Sequence, residues 1–229
     1  MRRFGEGIWI ADGSPVTAIA GFHYPTRMAV IRLGGDALFI WSPVALTNEL
    51  RAEVEALGQP RYIIAPNSLH HLFAGEWLDA YPGAELCAAP GVAEKRPDLA
   101  INATLRNDAE PGWEGEIDQV LIAGNAIAQE VVFFHRSSGT VIFSDLLQQI
   151  PPDWYSGWRR IVARLDGMTG PSPAVPRKFR LAFRSKARAR ADIARILSWP
   201  ATRVLMAHGE PVEDDARAYL EDAFGWLGI

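Results

Sequence analysis

The first third of the chain reads as strands. Short apolar runs, "GIWIADG", "RMAVIRL" and "ALFIWSP", are set apart by turn residues, and Gly34, Gly35 and Asp36 join the last two as a hairpin. From Thr47 the period lengthens. Leu50, Val54 and Leu57 recur at helical spacing between a threonine suited to cap the first turn and a stop at Gly58, which predicts a helix. "RYIIAP" then predicts a buried strand, "LFAGEWLDAY" a helix ended by Pro82 and Gly83, and "AELCAAP" another strand. This alternation favours a mixed or parallel sheet with helices packed on it, an α/β architecture. Residues 91–116, rich in polar side chains and proline, read as connecting loop.

Strands return in "IDQVLIAG", "QEVVFFH" and "GTVIFSD", the last two joined through residues 136–139 as a second hairpin. With its turn centred on Ser137 and Ser138, His135 pairs near Thr140 and Glu130 falls roughly opposite Asp145, while a register shifted by one or two residues would put Gln129 or Val131 there. His135 is then on the order of 16 Å from Asp145 at the rise of a strand, too far to share a site with it. Beyond Leu146 the pattern is helical but broken by prolines: "DWYSGWRRIVARLDGM", a break at "PSPAVP", and "SKARARADIARILSW" opening at Ser185. "ATRVLMAHG" reads as a last strand and "VEDDARAYLEDAFGWL" as an amphipathic helix with acids in its first turn. No repeat or long linker divides the chain, so one domain over residues 1–229 is expected.

Composition narrows the function classes. The 229 residues are 48% apolar, enough for a sizeable core, and the net charge of −4 argues against a general nucleic-acid binder. The basic stretch from Arg177 to Arg190 reads as the solvated face of a helix, because Arg184, Arg188 and Arg195 recur at three- and four-residue spacings beside Ala and Ile. No run of about 18 apolar residues is present, so neither a spanning segment nor a membrane partner is expected. The apolar stretch near the N-terminus is short for a signal peptide, which makes a cytoplasmic location the expectation. Trp154, Tyr155 and Trp158 form an aromatic segment suited to covering a cleft or meeting a second subunit, so a homodimer is also an expectation. With Cys87 the single cysteine, a metal site would have to be built from histidine and carboxylate.

In open sheets, sites gather in loops beyond the carboxyl ends of strands. Three such ends carry candidate groups: Asn67, His70 and His71 after "RYIIAP", Asp145 at the end of "GTVIFSD", and His208 at the end of "TRVLMAHG". Two imidazoles and a carboxylate suit zinc, or iron or manganese where more oxygens join. Each also has a plainer reading. The histidine pair can belong to a turn, Asp145 can cap a following helix, and Gly209 after His208 can serve a strand-exit turn with positive φ.

The element order, with "VIFSDLL" and "VLMAHGEPV", resembles the metallo-β-lactamase superfamily, and "YPTRMAVIRL", "APNSLHHLF" and "GEIDQV" with "EVVFFHR" resemble its branch called domain of unknown function 4336. The resemblance implies a four-layer αββα sandwich whose loops hold one or two metals. It also shows departures: Asn67, Leu69 and Leu72 stand where histidines are expected and His71 where an aspartate is. Asn125 lies at or near another expected histidine, and Ser42 replaces an early aspartate. Leucine has no lone pair to offer, so most of the first metal position is missing. The resemblance leaves His71, Asp145 and His208 as ligands of one ion, with His70, Glu130 and Asn67 in candidate catalytic roles. A metal-dependent hydrolase-like protein acting on a small molecule follows. The alternative is a non-catalytic scaffold that binds a small ligand or a protein partner through the same cleft.

Overall fold

The computed structural model describes residues 1–170 and 174–229. Seven strands form the first sheet in chain order: β1 (Arg2–Gly5), β2 (Ile8–Thr17), β3 (His23–Arg32), β4 (Ala37–Trp41), β5 (Gln59–Ala65), β6 (Glu85–Ala88) and β7 (Ala103–Thr104). It is antiparallel from β1 to β4 and parallel from β4 to β7. The second sheet holds β8 (Ile117–Ile122), β9 (Glu130–His135), β10 (Thr140–Gln149) and β11 (Arg203–Gly209), in the order β11-β10-β9-β8. The helices are α1 (Asn48–Glu55), α2 (Ala74–Ala80), α3 (Val92–Lys95), α4 (Gly157–Asp166), α5 (Arg177–Ala182), α6 (Lys186–Leu197) and α7 (Ala216–Phe224).

Alternation along the strands builds the layers. In β4, Phe39 and Trp41 enter the core between the sheets, while Leu38 and Ile40 pack outward with Val54 of α1 and Trp77 of α2. In β10, Ile142 faces the first sheet while Val141 and Phe143 face Ile193 of α6 and Phe224 of α7. Both faces of each sheet are therefore apolar, and helices must cover the outer two, which yields the αββα sandwich.

Local signals account for the boundaries. Thr47 accepts a hydrogen bond from the Leu50 amide at the start of α1, and Ser185 accepts one from the Arg188 amide at the start of α6. The first hairpin turns through Gly35 and Asp36, both left-handed, at φ +68° and +65°. The expected connecting region 91–116 contains the short α3 and β7. The final helix starts later than expected. Val212 is drawn into a bridge with Val204, so α7 begins only at Ala216, with no acid in its first turn. Of the "PSPAVP" break, residues 171–173 lie outside the described part of the chain. No helix among the described residues is long and apolar enough to cross a membrane.

The second hairpin keeps the expected register, Thr140 opposite His135. His135 is buried with its Nδ1 2.8 Å from Ser138 Oγ, and burial pushes its pKa down to about 4. Between the ordinary histidine pKa and that value the unfolded chain takes up a proton that the folded chain refuses. Stability should therefore fall as pH drops from about 6.5 towards 4, by on the order of 3 kcal/mol from this residue. Urea unfolding of the wild type and of His135→Gln across that range measures the difference. Equal slopes would mean that His135 is protonated at no cost in the folded protein.

Candidate metal centre

Three strand ends and the loop after β5 meet at one edge of the stacked sheets. In that loop, Asn67 Oδ1 accepts from the amides of Leu69 and His70 at 2.7 and 3.2 Å, closing a tight turn. The turn leaves Leu69 exposed and carries the His70 ring inward, with its Nε2 3.2 Å from Asp145 Oδ2. Behind that ring, Ser42 Oγ lies 2.8 Å from His70 Nδ1. Ser42 follows β4 in a left-handed conformation, φ +49°, which is uncommon for serine and points its hydroxyl to the site.

Asp145 comes from a break in the β10–β11 ladder. Phe143 pairs with Met206 and Gln148 with His208, so Ser144 to Leu147 bulge away from β11. The amides of Ser144, Asp145 and Leu146, without strand partners there, donate instead to the Glu130 carboxylate at 2.8, 2.8 and 3.0 Å. Asn67 Nδ2 donates both to Asp145 Oδ2 at 2.8 Å and to Ser144 Oγ at 2.9 Å, so one asparagine sets both the histidine turn and the carboxylate.

His208 ends β11. Its Nδ1 donates to the Pro25 carbonyl at 2.6 Å, and its Nε2 lies 3.3 Å from Asp145 Oδ1. Arg27 of β3 donates to the carbonyls of Met206 and Gly209 on either side of it. A Cβ on Gly209 would lie 2.8 Å from the Gln149 backbone, so close approach to β10, more than turn conformation, requires glycine there.

One donor atom each from His70, Asp145 and His208 thus lies within 4.8 Å of the others. Burial alone would raise the Asp145 pKa, but the charge of His70 and the hydrogen bonds of both histidines outweigh it and hold the carboxyl well below its ordinary value. Burial would likewise lower the His70 pKa, and Asp145 reverses this so that it is raised. Burial, then the charge of Asp145, raises the Glu130 pKa against the lowering effect of its three amide bonds.

Several sequence expectations are redrawn. His70, and not His71 as the resemblance implied, stands with Asp145 and His208: the Asn67 side chain accepts from the His70 amide, and the His70 ring is the one that reaches Asp145. His71 is half-buried, and burial together with Arg96 and Lys95 lowers its pKa. Glu130 does lie beside Asp145, as the register placed it, but both its oxygens accept from the bulge amides, which suits a positioning residue. Asn67 likewise sits behind the carboxylate. Asp145 caps no helix, since β10 continues to Gln149. Asn125 bonds the Phe179 carbonyl, away from the cluster, and the His23 ring packs on Trp154 and Tyr155. The supports that sequence reasoning missed are the Ser42 hydroxyl and the Pro25 carbonyl. A backbone carbonyl leaves no mark in residue identity, whereas Ser42 at the end of an apolar strand did.

The cluster forms part of the wall of a cavity of about 800 Å³. Its walls include Phe22, Leu69, Leu72, Ile127, Val162 and Leu165, and Lys178 stands near the rim 3.2 Å from Asp166.

Two stacked mixed sheets with outer helices and a site at their edge are the arrangement of the metallo-β-lactamase fold, and solved structures agree. The metallo-β-lactamase FIM-1 from Pseudomonas aeruginosa, crystallised in a mono-zinc form, superposes with a TM-score of 0.62 at 14% identity, over 96% of this chain and 90% of that one. A metallo-β-lactamase from Hirschia baltica gives 0.61 at 15%, over 99% and 95%. The flavodiiron core of Flv1 from Synechocystis gives 0.65 at 12%, over 98% of this chain and 60% of that one. At such identities the likeness shows the fold. The chain belongs to the family described as Domain of unknown function (DUF4336), whose model matches residues 6–155. No curated protein matches the sequence.

Proposed function

We propose that the chain is a metal-dependent hydrolase-like protein that holds one zinc ion, or iron or manganese, on His70, Asp145 and His208 and takes a small-molecule substrate into the adjoining cavity. The observation that carries this reading is the convergence of two Nε2 atoms on one carboxylate, with each donor steadied from behind. Both Nδ1 atoms have partners, Ser42 Oγ and the Pro25 carbonyl, and the carboxylate has Asn67, the outer support that metal-binding side chains use. The donor set therefore fits a borderline divalent ion, with three protein ligands and room on the cavity side.

An ion held there supplies a Lewis acid that lowers the pKa of water towards neutrality and polarises a carbonyl or phosphoryl group. The chain's own residues do the rest. His208, by donating Nδ1–H to Pro25, keeps Nε2 available as a donor of electrons. Asn67 and the Glu130-bound bulge hold Asp145 in place, and the apolar walls exclude water from a bound substrate.

A second reading rests on the same distances. Nε2–oxygen separations of 3.2 and 3.3 Å also suit a hydrogen-bonded His-Asp-His cluster, and then the cavity serves binding alone. Elemental analysis of untagged protein decides between them. About one equivalent of zinc, iron or manganese is expected, lost in His70→Ala and His208→Ala and kept in His71→Ala. No metal after reconstitution would favour the scaffold, and loss in His71→Ala with retention in His70→Ala would refute the ligand assignment.

A further inference from the structure

Large apolar side chains left exposed by the fold gather in one place. Nine are exposed among the described residues, and Ile19, Leu69, Leu72, Ile127, Val162 and Leu165 line the cavity near the metal cluster. The other three, Trp158, Ile161 and Leu181, stand on α4 and α5, whose neighbouring residues line the same cavity. A contiguous apolar surface of this kind marks an interaction site.

Helix α4 is turned the opposite way from an ordinary surface helix. Trp158, Ile161, Val162 and Leu165 follow the spacing of a single helical stripe, yet they are 52%, 63%, 42% and 59% exposed. The one buried residue of the helix is Ala163, which packs with Ile150, Tyr155 and Met168. The helix thus rests on the body through Ala163 and an edge contact of Trp158 with Phe22, and leaves most of its apolar stripe open to solvent and to the cavity. Leu181, 86% exposed, is not part of the cavity wall, and Ile19, though it lines the cavity, is 89% exposed. What covers this face must be broad and apolar.

Charge selects the occupant. From Gly157 to Ala182, the span of α4 and α5, the sequence carries six lysines or arginines and one acid, Asp166, in a chain whose net charge is −4. Arg160 and Arg164 are exposed on α4 itself, and Arg177 is exposed at the cavity. Arg159 is tied to the Ala20 carbonyl at 2.9 Å and lies over the Trp158 ring, which joins α4 to the loop that presents Ile19. A second copy meeting this face about a two-fold axis would set the positive excess against itself. An anionic lipid surface answers both features, apolar insertion and counter-charge, and these are the two signals that peripheral attachment requires.

We infer that this face docks on an anionic bilayer, with the α4 stripe, Ile19 and Leu181 at the headgroup boundary and the surrounding arginines on lipid phosphates. The cavity mouth then opens towards the lipid. This goes beyond the metal-site reading, does not depend on it, and departs from the expectation of no membrane partner. It needs no spanning helix.

Flotation of the purified full chain with vesicles tests it, using phosphatidylcholine alone and phosphatidylcholine with about one third phosphatidylglycerol, a composition that sets a negative surface potential. Binding at least about tenfold greater to the anionic vesicles is expected, and it should weaken steeply as salt is raised. Ile161→Asp should lose about tenfold or more on the anionic vesicles, by placing a charge in the inserted stripe. Arg160→Glu with Arg164→Glu should lose about twentyfold or more. All three positions are exposed, and thermal unfolding checks that the variants remain folded. Absence of wild-type binding to anionic vesicles, or equal binding to both kinds, would overturn the inference. So would a solution dimer that Ile161→Asp dissociates without any effect on flotation.

Discussion

Glu130→Ala is expected to lose on the order of 4 kcal/mol of folding stability, enough to lower the melting temperature by about 10 °C for a domain of this size. The Glu130 carboxylate is buried and accepts from three consecutive amides, those of Ser144, Asp145 and Leu146. Those amides face no strand, because the bulge has moved them out of the ladder with β11. Truncation leaves them buried without acceptors, at about 1–3 kcal/mol each before relaxation, and adds a small cavity. Glu130→Gln should fall between, since its single oxygen can serve only part of the set and its NH2 group would face donors. Urea unfolding followed by circular dichroism measures both. A loss below about 1 kcal/mol in Glu130→Ala would mean that water or backbone movement satisfies the bulge, a range typical of surface substitutions.

The same bulge shows where reading the sequence stops. The order of strands and helices made a sheet covered by helices legible, whereas the four-layer sandwich was implied by the family resemblance; the apolar faces on both sides of β4 and β10 are what call for its layers. The hairpin register was legible as well: a turn centred on Ser137 and Ser138 set Thr140 opposite His135, and among the registers it allowed was the one that puts Glu130 beside Asp145. The use made of Glu130 was not legible. A bulge is a local departure from period two, and the sequence pattern ended this strand at Asp145 with helix beyond Leu146, whereas β10 runs on through the bulge to Gln149. The choice between His70 and His71 was hidden for a related reason. A turn has no period, and which imidazole points inward depends on two hydrogen bonds to the Asn67 side chain. In α4 the apolar stripe was visible as helical spacing, but spacing tells only that one side of a helix is apolar. Whether that side meets the body or the solvent is set by the packing of Ala163.

Zinc should raise the melting temperature of chelator-treated wild-type protein by about 5–10 °C at a hundredfold excess over its dissociation constant, which corresponds to about 2.7 kcal/mol of linkage. The ligand atoms of His70, Asp145 and His208 already converge within 4.8 Å in the folded chain, whereas the unfolded chain holds them apart, so an ion binds the folded state preferentially. Asp145→Asn should abolish the shift. Asparagine keeps the size of the side chain and one oxygen for Asn67 to reach, but removes the negative charge on which both imidazoles converge. His71→Ala should preserve it, since the His71 ring is not part of the cluster. Differential scanning fluorimetry of the three proteins with zinc, and again after chelation, gives the comparison. A wild-type shift that survives Asp145→Asn would place the ion elsewhere. No shift at all would leave Asp145 satisfied by Asn67 and two imidazoles, with the cavity acting as a binding site alone.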